Sequence, residues 1–188
     1  MKRLVTILIA AAVLGGCVQY RLIEPERREI GNFFSVEPQI EWSASSEGKL
    51  EVWTVDSPLL EAVYFAKGLS DGDVLFKAPL GQDKQKRPRF RKHMTANAVM
   101  EFVVDSMSVE GAGKVEAGGL RPARFGERAG FRFELGFLTQ KGLEKQGLAI
   151  GTVADDKLYL ILYLGAREHY FATYKDAVER LIDSIETL

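Results

Sequence analysis

Cys17 is the one cysteine in 188 residues, and it directly follows Leu14, Gly15 and Gly16. A lone thiol has no disulfide partner, so it either stays free or is covalently modified. Ser70 lies in Gly68-Leu69-Ser70-Asp71-Gly72, which fits the G-x-S-x-G pattern of a hydrolase nucleophile. That chemistry needs the serine on a sharp turn between a strand and a helix, with its hydroxyl beside backbone donors. Here Asp73-Val74-Leu75-Phe76 follows and reads as a strand, so a hairpin turn explains both glycines. Hydrolysis at Ser70 is therefore a remote alternative.

Gly111-Ala112-Gly113-Lys114 ends like a phosphate loop. Ser108 stands where the upstream glycine belongs, and Val115 where a hydroxyl would hold magnesium. The order of elements, a helix before and a strand after, is also reversed. His93 and His169 lie far apart, and with no thiolate to spare a zinc site lacks ligands. Asp71-Gly72-Asp73 and Asp155-Asp156 are too short for a calcium loop and read as turn formers. No metal and no cofactor is expected.

Lys84, Lys86, Arg87, Arg89, Arg91 and Lys92 crowd one loop around Phe90. They are candidate contacts for lipid phosphates or an acidic partner, each contributing about 1 kcal/mol near an anionic surface. A solvated loop balanced by acids elsewhere is the competing reading. Arg121, Arg124, Arg128 and Arg132 extend the patch if the fold brings them near.

The start of the chain gives the lone cysteine a role. Lys2 and Arg3 precede an apolar run from Leu4 to Leu14, the length of a signal-peptide core and short of the ~20 residues that span a bilayer. Leu14-Gly15-Gly16-Cys17 resembles the lipobox of bacterial lipoproteins. The resemblance implies that the thiol receives a diacylglyceryl group, that the chain is cut before Cys17, and that the new amine is acylated. Two acyl chains suffice for stable anchoring, so three hold the protein permanently. Val18 occupies the position where an aspartate retains enteric lipoproteins at the inner membrane, which implies the outer membrane, facing the periplasm.

The resulting organisation is a signal peptide over 1–16, a lipidated cysteine and tether over 17–31, and one domain over 32–188. The tether has mixed charge, a proline and no sustained period, and extended it reaches about 45 Å. With Lys2 and Arg3 removed, 23 basic residues face 26 acidic ones. That near-balance excludes a general nucleic-acid binder.

Within the domain, Phe33 to Val36, Ile40 to Trp42, Leu50 to Val55, Leu60 to Ala66 and Val74 to Phe76 read as short strands of an antiparallel meander. Thr95 caps a helix whose Val99, Phe102, Val103 and Met107 share a face, ended by Gly111 and Gly113. A glycine-rich loop then precedes the alternating strand Phe131 to Phe137. Leu148 to Val153 and Lys157 to Leu164 form a hairpin about Asp155-Asp156. The second of these is apolar on both faces and hence central. A last helix carries Tyr174, Ala177, Val178, Leu181, Ile182 and Ile185. The sum is an α+β sandwich, an antiparallel sheet of about six or more strands with helices on its faces.

That order is similar to the PsbP-like family, which includes bacterial lipoproteins of the DcrB type. The residues carrying the likeness are Phe33 to Val36, Gly130-Phe131-Arg132-Phe133, the Tyr159 strand, and Ala166 to Phe171 running into a helix that ends Asp183-Ser184-Ile185. The resemblance implies a binding or assembly-support module without catalysis, working on another envelope protein or lipid. A carrier of a small apolar ligand between sheet and helix is the alternative, since the aromatic strands offer a lining.

Overall fold

The computed structural model describes residues 20–77 and 87–188. Cys17, the segment before it, Lys84 and Lys86 lie outside these residues. The elements run β1 (Arg21–Ile23), β2 (Arg28–Ile30), β3 (Phe34–Val36), β4 (Trp42–Glu47), β5 (Leu50–Thr54), β6 (Glu61–Leu69), α1 (Ala96–Val109), β7 (Gly113–Phe125), β8 (Arg128–Leu138), β9 (Glu144–Ala154), β10 (Lys157–Ala166), α2 (Tyr170–Asp183) and β11 (Glu186–Thr187). Among the described residues, eight strands make one antiparallel sheet in the order β1-β4-β5-β6-β10-β9-β8-β7, and β11-β3-β2 make a second.

The sheet centre follows from the apolar run in β10. Tyr159, Ile161 and Tyr163 enter one core cluster, and Leu158, Leu160, Leu162 and Leu164 enter the other. A strand with apolar residues on both faces is stable only where both faces are covered. The tight β9–β10 turn holds Asp155 and Asp156 at φ 50° and 60°, the doubly left-handed geometry that matches strand twist.

On one face α1 packs across β7 and β8, with Val99, Phe102, Val103 and Met107 buried. The Thr95 hydroxyl accepts from the Ala98 N–H at 3.3 Å, the cap its position promises. The opposite face carries α2 and the small sheet, which enclose Trp42, Trp53, Phe34 and Phe125. Gly165 permits the close crossing of α2 over β10, since a Cβ there would stand 2.7 Å from the Phe171 Cα. The Tyr163 hydroxyl, 2.9 and 3.0 Å from the Tyr170 and Phe171 carbonyls, ties the strand to the start of that helix.

Four sequence expectations change. The tether is part of the fold: β1 joins the large sheet, β2 joins the small one, and Ile23 and Ile30 are buried. Two short strands with one apolar residue each carry no period to read. Val74 to Phe76 forms no strand; Leu75 and Phe76 pack into the α1-side core without a ladder. The strand expected over Ile40 to Trp42 begins only at Trp42 and runs on through Ser45 and Ser46 to Glu47. The glycine-rich segment before β8 is β7 itself. Its register shifts twice, between Gly113 and Glu116 and between Gly118 and Arg121, so the inward face changes parity along its length. Its place at the sheet edge also accommodates Pro122, which has no N–H to give.

Candidate functional site

The described part of the basic loop is held against the body of the protein. Phe90 is fully buried; its N–H donates to the Asp73 carbonyl at 2.8 Å, and its carbonyl accepts from Gly72 at 2.9 Å. Arg87, 7% exposed, donates to the Phe76 carbonyl and pairs with Glu110 just past the end of α1. This corrects its assignment as a contact for an anionic partner: Arg87 is an internal strut, drawn in because Phe90 belongs to the core. Arg89 donates to the Gly72 carbonyl, Arg91 pairs with Asp71 and Lys92 with Asp156. Arg91 and Lys92 keep exposed side chains, while Lys84 and Lys86 lie outside the described residues.

The second basic group does not act as one patch. Arg132 grips Glu179 of α2 with both terminal nitrogens. Arg128 lies 5.0 Å over the Phe33 ring, Arg124 donates to the Glu127 carbonyl, and Arg121 to the Gly119 carbonyl. Each is committed locally.

Ser70 follows β6 on a turn with no helix after it. Lys49 donates to its hydroxyl oxygen at 2.8 Å and to Asp73 at the same distance, while the Ser70 N–H donates to Asp73 at 2.7 Å. Burial pushes the Asp73 carboxyl up, but the bonds from Lys49 and Ser70 outweigh it and hold it below the usual carboxylate range. A lysine ammonium on a carboxylate is a donor and cannot take the serine proton. The arrangement is a latch between the β4–β5 hairpin and the turn, and among the described residues it has neither a base on Ser70 nor the strand-to-helix elbow of a hydrolase nucleophile. His93 and His169 are exposed, and no cluster of three metal-ligating side chains occurs among the described residues. No helix among them is long and apolar enough to cross a membrane.

Two charged sites escaped the sequence reading. Glu51 shares the inward face of β5 with Trp53, whose indole N–H donates to it at 2.9 Å. Arg21 bonds it at 3.0 Å, Lys67 lies at 3.4 Å and Arg28 at 3.8 Å. Burial raises its carboxyl, but Trp53, Lys67 and Arg21 together pull it below the usual range. Glu61 opens β6 and is completely buried. One of its oxygens accepts from the Thr54 hydroxyl and from the Val55 and Asp56 N–H groups at 2.6 to 2.9 Å. The other has no hydrogen-bond partner among the described residues. Burial wins there and pushes Glu61 up. The signal for Glu51 was present: a glutamate two residues before a core tryptophan on a strand must face inward with it.

Two surface depressions bear on ligand binding. One, of about 250 Å³ between β8, β9 and α2, is lined by Arg132, Glu134, Gln146, Phe171 and Lys175. It is smaller than ordinary ligand pockets, and its lining mixes charged side chains with Leu135, Leu148 and Phe171. Of the aromatic strands, Phe131 and Phe133 are buried in the α1-side core. The other is an open groove of about 790 Å³ over β1, β4 and β5, lined by Tyr20, Ser45, Leu50, Val52, Pro58 and Tyr64.

No family model and no curated protein matches the sequence. Among solved structures, the chain is similar to cyanobacterial PsbP (CyanoP) from Synechocystis sp. PCC 6803, with a TM-score of 0.55 and 12% identity over 96% of this chain and 99% of that one. LpqN, involved in cell envelope biogenesis of Mycobacterium tuberculosis, gives a TM-score of 0.47 and 10% identity, covering 90% of each chain. With its antiparallel sheet, α1 on one face and α2 on the other, the domain has the PsbP-like fold.

Proposed function

We propose that the chain is a lipid-anchored bacterial envelope protein whose PsbP-like domain is a non-catalytic binding or assembly-support module. The observation that carries this reading is Leu14-Gly15-Gly16-Cys17, the one cysteine of the sequence placed directly after a short apolar run with a basic start. Acylation of Cys17 confines the domain to a thin layer and raises its effective concentration toward partners there. The partner is another envelope protein or lipid, and Val18 favours the outer membrane, facing the periplasm.

Metabolic labelling with an alkyne fatty acid tests the anchor. The wild-type chain takes the label and sediments with membranes, and Cys17→Ala does neither. An unlabelled wild-type chain, or one recovered from the cytosol, overturns the proposal. In-cell crosslinking with mass spectrometry then identifies the partner, and recovery of bulk lipoproteins alone counts against an assembly role.

A further inference from the structure

We infer that the sheet face over β1, β4 and β5, which is uncovered among the described residues, rests on the membrane that holds Cys17. The inference depends on the acylation proposed above and adds an orientation to it. Cys17 stands three residues before Tyr20, where the described fold begins. Three extended residues span about 10 Å. The anchor therefore keeps Tyr20 within that distance of the lipid headgroups, where the sequence reading allowed a long tether. The far edge of the sheet, β7, is seven strand spacings from β1, about 33 Å at ~4.8 Å each. A surface at the Tyr20 end meets the bilayer, and one at the β7 end does not.

The surface at the Tyr20 end is built for such contact. Among the described residues, cover on the α1 side reaches to the Phe76 ring, which meets Tyr64 edge-on at 5.8 Å, and to Lys77, which pairs with Glu47 at the end of β4. Beyond it the groove is open, with Val52, Leu50 and Pro58 along it. Tyr20 and Pro58 line it; Leu22 on β1, opposite Ser43, and Leu59, next to Pro58 in the chain, are exposed with Tyr20, at 61%, 79% and 46%. Large apolar side chains grouped on one surface mark a contact site, and tyrosine favours the membrane interface because its ring is apolar and its tip polar. Lipid is the occupant that the short covalent link delivers to this face.

The test uses the full acylated protein in phosphatidylethanolamine–phosphatidylglycerol vesicles that contain nitroxide-labelled lipid. Acylated Cys17 has no reactive thiol, so an introduced cysteine is the only attachment site for a fluorophore. Leu22→Cys, Leu59→Cys and, on β7, Arg124→Cys are exposed positions that accept a label. The labels at 22 and 59 are expected to lose at least half their emission to the nitroxide, and the label at 124 to lose almost none. Vesicle flotation of all three variants with equal emission at 22, 59 and 124 overturns the orientation and leaves the anchor standing. A chain that fails to float overturns the anchor itself, and the orientation with it. Labels at 22 and 59 that are shielded from water but not quenched assign the face to a second copy or another protein, which also overturns the inference.

Discussion

Glu51 and Glu61 sit on adjacent strands, β5 and β6, and face the same core, yet their protons behave in opposite ways. Each is desolvated and accepts bonds from its neighbours, Glu51 on both oxygens and Glu61 on one. The difference is charge. Glu51 has Arg21, Arg28 and Lys67 within 4 Å, whereas Glu61 accepts from neutral donors on one oxygen, has no hydrogen-bond partner on the other among the described residues, and feels the buried Lys145 without pairing to it. The pair teaches that hydrogen bonds from amides and a hydroxyl do not compensate a buried carboxylate as cations do.

The largest expected effect is at Glu51. Replacing it with leucine removes the acceptor of Trp53 and strands three cations around an apolar side chain. The loss should be about 3 kcal/mol in urea unfolding, held below the upper range for buried pairs because Arg21 stays half exposed. Glu61→Leu should cost about 2 kcal/mol, since Thr54, Val55 and Asp56 lose their acceptor, while the buried Lys145, which feels Glu61 without pairing to it, keeps the Pro58 carbonyl. If Glu61→Leu proves the costlier change, cations are not what separates the two sites.

A pH series sharpens the same contrast. Glu51 has a lowered folded pKa, so its contribution is complete above the unfolded carboxylate value of about 4.3 and is lost as pH falls through the folded value. Glu61 has a raised folded pKa, so the fold gains from its bound proton below about 4.3 and loses that gain as pH rises through the folded value. Urea midpoints of wild type, Glu51→Gln and Glu61→Gln against pH should therefore diverge in opposite directions. The advantage of wild type over Glu51→Gln shrinks toward acid. Its standing against Glu61→Gln worsens toward neutral pH. Parallel curves for the two variants would break the comparison. The smallest effect is the neutral-pH cost of Glu61→Gln, expected within about 1 kcal/mol, because the amide oxygen keeps the three donors.

Much of the fold was legible because its strongest elements carry their own period. β8, β9, β10, α1 and α2 each bury one or two faces against a large partner, and apolar spacing reports that directly. β7 was hidden because two register shifts break the alternation that marks a strand. β1 and β2 were hidden because three residues hold too little pattern, and their pairing comes from β4 and β3. The basic loop misled for a related reason. Charge is visible in a sequence, but the burial of Phe90, which pulls Arg87 inward, depends on a core assembled from distant strands.

By itself the sequence determined the class of fold, the central position of β10, and the chemistry that Cys17 can offer. These depend on residues next to one another in the chain, whose types and spacing suffice. Only the tertiary structure decided that the link from Cys17 to the folded body is short, that Ser70 is locked to a charged lysine, and that Glu51 is paired while Glu61 is not. Those outcomes rest on which strands lie side by side, and local sequence carries no record of a neighbour brought in by folding.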